Sequence, residues 1–206
     1  MSHQNRVDPW GRIIATSARG TLMGNRGSLH NAHREIVRAY QTKRWIICKL
    51  AFKGIHREIM SPGLYTELFF LDEASALSAG HRPCAECQRS RFEEFKQIWL
   101  KANPGFENRA IRIEEIDAVL HRERFITGTK FTYTAKLKGL PLGAFFSLDG
   151  KAYLVASGGY YLWSFTGYVQ AEALGFPEEV DVLTPRSIVN SMEVGFIPEI
   201  HESASS

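Results

Sequence analysis

Residues 80–87, GHRPCAEC, carry the clearest chemistry in this chain. Cys84 and Cys87 form a Cys-x-x-Cys pair after a proline, a spacing that places two thiolates on one tight turn. Both thiolates can then reach a single tetrahedral zinc ion at about 2.3 Å. A structural zinc site takes four ligands, so this pair supplies half of one. The alternative is that Cys84 begins a buried helix and that no metal binds.

The segment around this pair resembles a known metal-binding domain. Residues 67–87, ELFFLDEASALSAGHRPCAEC, are similar to the second half of the metal-binding domain of Ada-type DNA methylphosphotriester repair proteins. In that family a strand that ends in Phe, a helix with Glu-Ala and a Gly-aromatic-Arg-Pro-Cys-x-x-Cys turn follow in the same order. The resemblance covers about a tenth of the chain and implies an Ada-like zinc knuckle with a DNA partner.

The chain departs from this family in the first half of the pattern. There the family has a second cysteine pair about thirty residues upstream, and one cysteine of that pair accepts the methyl group. Residues 53–57 stand at the expected position and contain no cysteine, so methyl transfer is not expected. His56, 28 residues before Cys84, is the one metal-binding side chain among them. The expected ligands are therefore Cys84, Cys87, His56 and His30, with His33 as the other candidate for the last place.

The third cysteine, Cys48, stands in an apolar segment. It alternates with Ile46, Leu50 and Phe52, a pattern that is typical of one face of a strand. A free cysteine in such a place behaves as a small hydrophobic residue. The pattern predicts that Cys48 belongs to the core and is not a ligand.

His30 and His33 give the alternative function. They lie three residues apart at the start of a predicted helix, where they can hold a metal together or act as base and orienting group in phosphodiester cleavage. A metal-dependent nuclease or phosphodiesterase is therefore the rival hypothesis. Two solvated histidines without a catalytic role are the other interpretation.

Positive charge is concentrated in the first sixty residues. They contain eleven Lys and Arg against three Asp and Glu, a net charge of +8, whereas the whole chain has +3. A basic surface attracts phosphate, and arginines beside glycines can donate paired hydrogen bonds to it. We expect nucleic acid, DNA in particular, to bind here without catalysis through Arg19, Arg26, Arg34, Lys43 and Arg44. If these cations pair within the protein, the chain is a structural or protein-interaction module.

Apolar periodicity and turn residues predict an α+β protein. The expected helices cover residues 31–40, 72–79, 84–100, 114–124 and 185–193, and the expected strands cover 45–52, 55–60, 65–71, 131–137, 144–148, 151–156, 160–165 and 180–183. Asp149-Gly150 predicts a two-residue hairpin turn. Residues 1–103 are expected to form a basic Ada-like half, residues 104–198 a small antiparallel β-meander with flanking helices, and residues 199–206 a disordered tail.

Composition excludes several classes of protein. Apolar residues make up 44% of the chain and charged residues 23%, as in folded globular proteins. The longest apolar runs are far shorter than the roughly 20 residues of a membrane helix, so no membrane span is expected. Three cysteines cannot build a disulfide framework, and the first residues lack the apolar segment of a secretory signal. We therefore expect a cytoplasmic protein.

Overall fold

The computed structural model describes residues 2–54, 58–106, 110–126, 128–172 and 175–204. Within these ranges it contains four α-helices and two six-stranded sheets, which confirms the predicted α+β class. None of the helices in the described ranges is long and apolar enough to cross a lipid bilayer.

The first sheet is built from the first 83 residues. Its strands are β1 (Gln4–Val7), β2 (Ile13–Ala15), β3 (Leu22–Asn25), β4 (Ile46–Cys48), β5 (Leu68–Phe70) and β6 (Arg82–Pro83), arranged in the order β2-β1-β5-β3-β4-β6. β4 and β6 run parallel, with Ile46 opposite Arg82 and Ile47 opposite Pro83. Because these two strands end side by side, the residues that follow them lie close together.

Helix α1 (Glu73–Ser78) connects β5 to β6 and is buried along its whole length. Asp72 caps its first turn by accepting a hydrogen bond from the Ser75 backbone N–H at 2.8 Å. Gly80 follows its last turn with a φ of 87°, and a Cβ atom there would lie 2.5 Å from Cδ of Arg124. The helix predicted over residues 72–79 is confirmed.

The other three helices are α2 (Arg89–Ala102), α3 (Ile113–Arg124) and α4 (Arg186–Glu193). α2 buries Phe92, Phe95 and Trp99, the apolar side that its sequence predicts. It begins at Arg89 and not at Cys84, because residues 85–88 form turns. The predictions for α3 and α4 agree with the structure to within one residue.

The second sheet is antiparallel and contains the predicted meander. Its strands are β9 (Tyr133–Lys136), β10 (Phe145–Leu148), β11 (Lys151–Ala156), β12 (Gly159–Ser164), β13 (Gly167–Gln170) and β14 (Glu179–Val182), in the order β13-β12-β11-β10-β14-β9. Asp149 and Gly150 join β10 to β11 with φ values of 50° and 72°, which is the turn that the Asp-Gly pair predicts. A short ribbon of β7 (Phe125–Ile126) and β8 (Thr129–Lys130) precedes this sheet.

Each sheet lies on its own side of residue 103, but the apolar core does not divide there. One continuous cluster of buried side chains contains Ile47 and Leu68 of the first sheet, Trp99 of α2, Val182 of the second sheet and Ile188 of α4. The two halves therefore share a core.

Three expectations about local structure are wrong. Residues 31–40 form no helix, because the Asn31 side chain accepts from the backbone N–H groups of His33 and Glu35 in a turn and Arg34 has a φ of 62°. No helix or strand is expected before residue 31, but β1, β2 and β3 form there. The strand predicted over residues 55–60 has its first three residues outside the described ranges, and the rest forms a turn in which Met60 has a φ of 56°.

The end of the chain, predicted to be disordered, is packed up to Ala204. The backbone N–H of His201 donates to Asp72 Oδ2 at 3.0 Å, and Ser203 Oγ accepts from the backbone N–H of Tyr168 at 2.9 Å. Ala204 is buried against the second sheet. Its polar composition misled the sequence prediction, because the ordering comes from backbone hydrogen bonds to distant residues.

Candidate metal centre

Cys48 and Cys84 are brought together by the parallel pairing of β4 and β6. Cys48 is the last residue of β4, and Cys84 directly follows β6. The Cys84 backbone N–H donates to the Ile47 carbonyl at 2.9 Å, so the pairing continues one step beyond the strand. The two cysteines therefore stand next to each other although 36 residues separate them in the sequence.

Cys87 reaches the same place through the turn that its spacing predicts. The backbone N–H of Glu86 donates to Cys84 Sγ at 3.4 Å, and that of Gln88 donates to the Cys84 carbonyl at 3.1 Å. The Gln88 side chain also donates to the Ile47 carbonyl at 2.9 Å, which fastens the turn to β4. Backbone N–H groups directed at sulfur stabilise thiolate character.

The three sulfur atoms lie within 4.8 Å of one another and can hold a metal ion. With Zn–S bonds of about 2.3 Å, the sulfurs of a tetrahedral site stand about 3.8 Å apart, so only small side-chain adjustments are needed. Cys48 and Cys84 are buried, and Cys87 is partly exposed. In the part of the chain that the structure describes, no fourth His, Cys, Asp or Glu joins this group.

Hydrogen bonding among the thiols sets their protonation. The Cys48 thiol hydrogen-bonds to Cys84, which lowers the pKa of Cys84 to about 5 and raises the pKa of Cys48. Burial raises the pKa of Cys87, while the backbone N–H of Lys49 acts in the opposite direction. A metal ion held by the three sulfurs would displace their thiol protons.

All three cysteines line one wall of a cleft of about 790 Å³, which is called the thiolate cleft below. Its other walls are mainly apolar and aromatic, formed by Met23, Ile46, Phe52, Leu64, Tyr65 and Phe69. Arg44 and Lys49, both exposed, carry positive charge into its lining, and Glu67 and Glu86 add two acidic side chains. The volume is in the range of pockets that hold small organic ligands.

A buried ion pair fixes the strand that leads into the cysteine pair. Arg82 of β6 donates from Nε and Nη2 to both carboxylate oxygens of Asp117 in α3, at 2.9 and 2.8 Å. Both side chains are almost fully buried, with 2% and 4% of their surfaces exposed. The Arg-Pro part of the motif therefore has a positioning function next to Cys84.

A stack of buried cations lies at the other end of β4 and β6. The guanidinium groups of Arg26 and Arg124 lie over the Trp45 ring at 3.8 and 3.9 Å. Arg26 Nε donates to Nε2 of His81 at 3.1 Å, so His81 is neutral, and burial lowers its pKa further. Arg124 donates to the Gly80 carbonyl at 2.6 Å. The stack holds the starts of the two strands whose ends carry Cys48 and Cys84.

The predicted histidine ligands are not brought to the cysteines within the described ranges. His30 is buried, with Nδ1 2.6 Å from Thr66 Oγ1 and Nε2 3.2 Å from the Ser61 carbonyl, so both ring nitrogens have partners away from the cluster. His33 is exposed in the turn after Asn31. His56 lies outside the described residues.

The five expected phosphate contacts have different surroundings. Arg26 is fully buried in the stack, so it offers no surface for a ligand. Arg34 is paired with Glu58. Arg19, Lys43 and Arg44 are exposed, and among them Arg44 lines the thiolate cleft. Part of the positive charge of the first sixty residues is therefore buried or paired within the protein.

Sequence reasoning missed Cys48 as a member of the cluster. The apparent alternation with Leu50 suggested a long strand, but β4 ends at Cys48 and Leu50 is 54% exposed. One signal was available, because Cys48 lies upstream of the Cys-x-x-Cys pair and is the only other thiol in a chain with an incomplete ligand set.

Comparison of this chain with protein-family models, with curated proteins and with solved structures gives no match. The site is therefore interpreted from its own geometry and chemistry.

Proposed function

We propose that this protein holds a zinc ion between Cys48, Cys84 and Cys87 and binds a nucleic-acid strand in the thiolate cleft beside it. The observation that carries the proposal is the cleft itself, which three thiols, aromatic side chains and exposed cations line together.

The donor atoms support zinc. Three sulfurs without carboxylate or carbonyl oxygens form a soft ligand set, which excludes magnesium and calcium as good occupants. Zinc combines affinity for thiolates with the tetrahedral geometry that neighbouring cysteines on a strand end and a turn can adopt. We expect one zinc ion per chain.

The lining of the cleft supports a nucleic-acid partner. Phe52, Tyr65 and Phe69 offer rings on which bases can stack, and Arg44 and Lys49 can neutralise phosphates. Lys43 adds an exposed positive charge next to Arg44. The resemblance of residues 67–87 to a DNA repair module is an independent reason to test DNA first.

Binding of fluorescently labelled single-stranded and double-stranded DNA, measured by anisotropy at several salt concentrations, tests the proposal. The double variant Arg44→Glu/Lys49→Glu is expected to weaken binding by roughly tenfold or more. Because two phosphate contacts are lost, the slope of log affinity against log salt concentration is expected to become shallower by about 2. Lys138→Glu/Lys151→Glu is the matched control, because these exposed lysines lie near and on the second sheet and the change in charge is the same.

Equal weakening by both double variants would show that only net charge matters and would contradict a site in the cleft. Failure of the unaltered protein to retain any DNA or RNA at low ionic strength would reject the nucleic-acid proposal altogether. Neither result bears on the proposed metal centre, because the zinc content is measured separately.

A further inference from the structure

We infer that the metal centre keeps one coordination position for an exchangeable ligand that enters from the thiolate cleft. The centre would then resemble catalytic zinc sites, which leave a position open, and not structural sites, which close all four. The inference rests on the proposed metal binding and does not depend on nucleic acid.

The number of donors is the first argument. Tetrahedral zinc takes four ligands, and the cluster offers three sulfur atoms. Among the described residues no further His, Cys, Asp or Glu places a ligand atom with them. The described part of the chain thus provides an incomplete first coordination sphere.

The position of the cluster is the second argument. β4, β6 and the turn at Gln88 cover it from the protein side, and the Ile47 carbonyl there is already engaged by the Cys84 N–H and the Gln88 side chain. Cys87 is partly exposed, and all three cysteines line the thiolate cleft. An ion that they hold therefore lies at the wall of a space large enough for an incoming ligand.

Charge and surroundings indicate the class of ligand. Three thiolates and a divalent ion carry a net charge of −1, which disfavours a further negatively charged donor close by. The aromatic side chains in the lining, Phe52, Tyr65 and Phe69, favour a flat ring. A neutral aromatic nitrogen, of the kind found in imidazole and in the five-membered ring of purines, satisfies both conditions and is a good zinc ligand.

Cobalt substitution provides the test, because the visible absorption of tetrahedral cobalt reports its ligands directly. Imidazole is titrated into the cobalt-loaded protein, with benzene as a control ring that has no donor atom. The same titration is carried out on His56→Ala, since that histidine lies outside the described residues. A saturable spectral change with imidazole, in both proteins and absent with benzene, is the expected result.

Two outcomes would overturn the inference. If the spectrum of the unaltered protein is unmoved by imidazole, the fourth position is closed by the chain, and a response in His56→Ala alone would identify the residue that closes it. If cobalt and zinc do not bind at all, the metal part of the proposed function fails with it. Because no nucleic acid is present in this experiment, a failure of DNA binding leaves its result unchanged.

Discussion

Cys48 gives the Cys-x-x-Cys turn the third thiol with which it could hold a metal ion. Two thiolates bind zinc weakly, whereas three from a fixed strand end and a turn form a chelate whose shape is set before the metal arrives. Cys48 belongs to β4, so its place depends on the sheet and not on the motif. Substitution can separate the contribution of Cys48 to metal binding from its contribution to packing.

Cys48→Ala is expected to lower the zinc content of the purified protein from one per chain to well below one, as measured by elemental analysis. Ile47→Val is the control, because Ile47 is fully buried on the same strand and the change costs about 0.5–1.5 kcal/mol without removing a ligand. Full zinc content in Cys48→Ala would show that this cysteine is not a zinc ligand.

Lys130 is a second residue whose behaviour follows from its surroundings. Part of its side chain is exposed, but its ammonium group reaches inward and donates to the Ser78 carbonyl at 2.6 Å. Burial, followed by the charges of Arg124 and Arg26, lowers the pKa of Lys130 to about 7, while Asp8 acts in the opposite direction. The charged form therefore costs folding free energy.

This shift predicts a pH dependence of stability. Below about pH 7 Lys130 is protonated in both the folded and the unfolded state, and the full cost of burying its charge applies. Between about pH 7 and the unfolded pKa of about 10.4, the folded state loses this proton while the unfolded state still holds it. The free energy of unfolding, relative to that of Lys130→Met, is expected to rise between about pH 7 and pH 10 in urea titrations of zinc-loaded protein. Lys151→Met, at an exposed lysine, should give no such trend. If the difference in free energy of unfolding between the unaltered protein and Lys130→Met does not change with pH, the lowered pKa of Lys130 is contradicted.

Among the elements, β6 depends on α3 for its position. The ion pair between Arg82 and Asp117 is the direct link, and it lies two residues before Cys84 in the chain. A buried pair contributes little when both partners are exchanged for apolar residues, but removal of one partner leaves an uncompensated charge in the interior.

Asp117→Ala is accordingly expected to reduce the free energy of unfolding by about 3–5 kcal/mol and to weaken zinc binding, because β6 loses its anchor. Glu93→Ala removes the partner of Arg89 in a largely exposed pair on α2 and should cost about 0–1 kcal/mol. Urea unfolding and competition with a zinc chelator measure the two effects. Similar small losses in both variants would show that the buried pair does not anchor the strand.

At the scale of the whole molecule, the shared core joins the two sheets into one unit. α4 follows the second sheet but packs Ile188 into the cluster that also contains Ile47 and Trp99. Asn103 of the predicted boundary donates to the Ser187 carbonyl at 3.1 Å and accepts from Asn190, so this region is an interface and not a linker. Such sharing favours cooperative unfolding.

Ile188→Ala is therefore expected to cost about 2–5 kcal/mol and to lower the unfolding midpoint of both halves together. In a Trp163→Phe background, fluorescence reports Trp10, Trp45 and Trp99, all in the first half, and far-ultraviolet circular dichroism reports both sheets. Val169→Ala, at a 69% exposed position of β13, is the control. Two separate midpoints would show that the halves unfold independently.

Local patterns in the sequence determined the elements whose signals are short in range. The Asp72 cap and Gly80 stop of α1, the Asp149-Gly150 hairpin, α3, α4 and the meander follow from capping, backbone conformation and periodicity, all of which act over a few residues. The Cys-x-x-Cys turn belongs to the same group. These features need no knowledge of distant contacts.

Tertiary structure alone decided which side chains meet. The pairing of β4 with β6 brings Cys48 to a pair 36 residues away, and burial turns Arg26 from an expected phosphate contact into a partner of Trp45. The order of residues 199–204 likewise depends on Asp72 and Tyr168. Strand pairing and burial are set by the free energy of the whole core, which no local pattern encodes. The third thiol of the cluster therefore looked in the sequence like a core residue, and a buried cation looked like a surface charge.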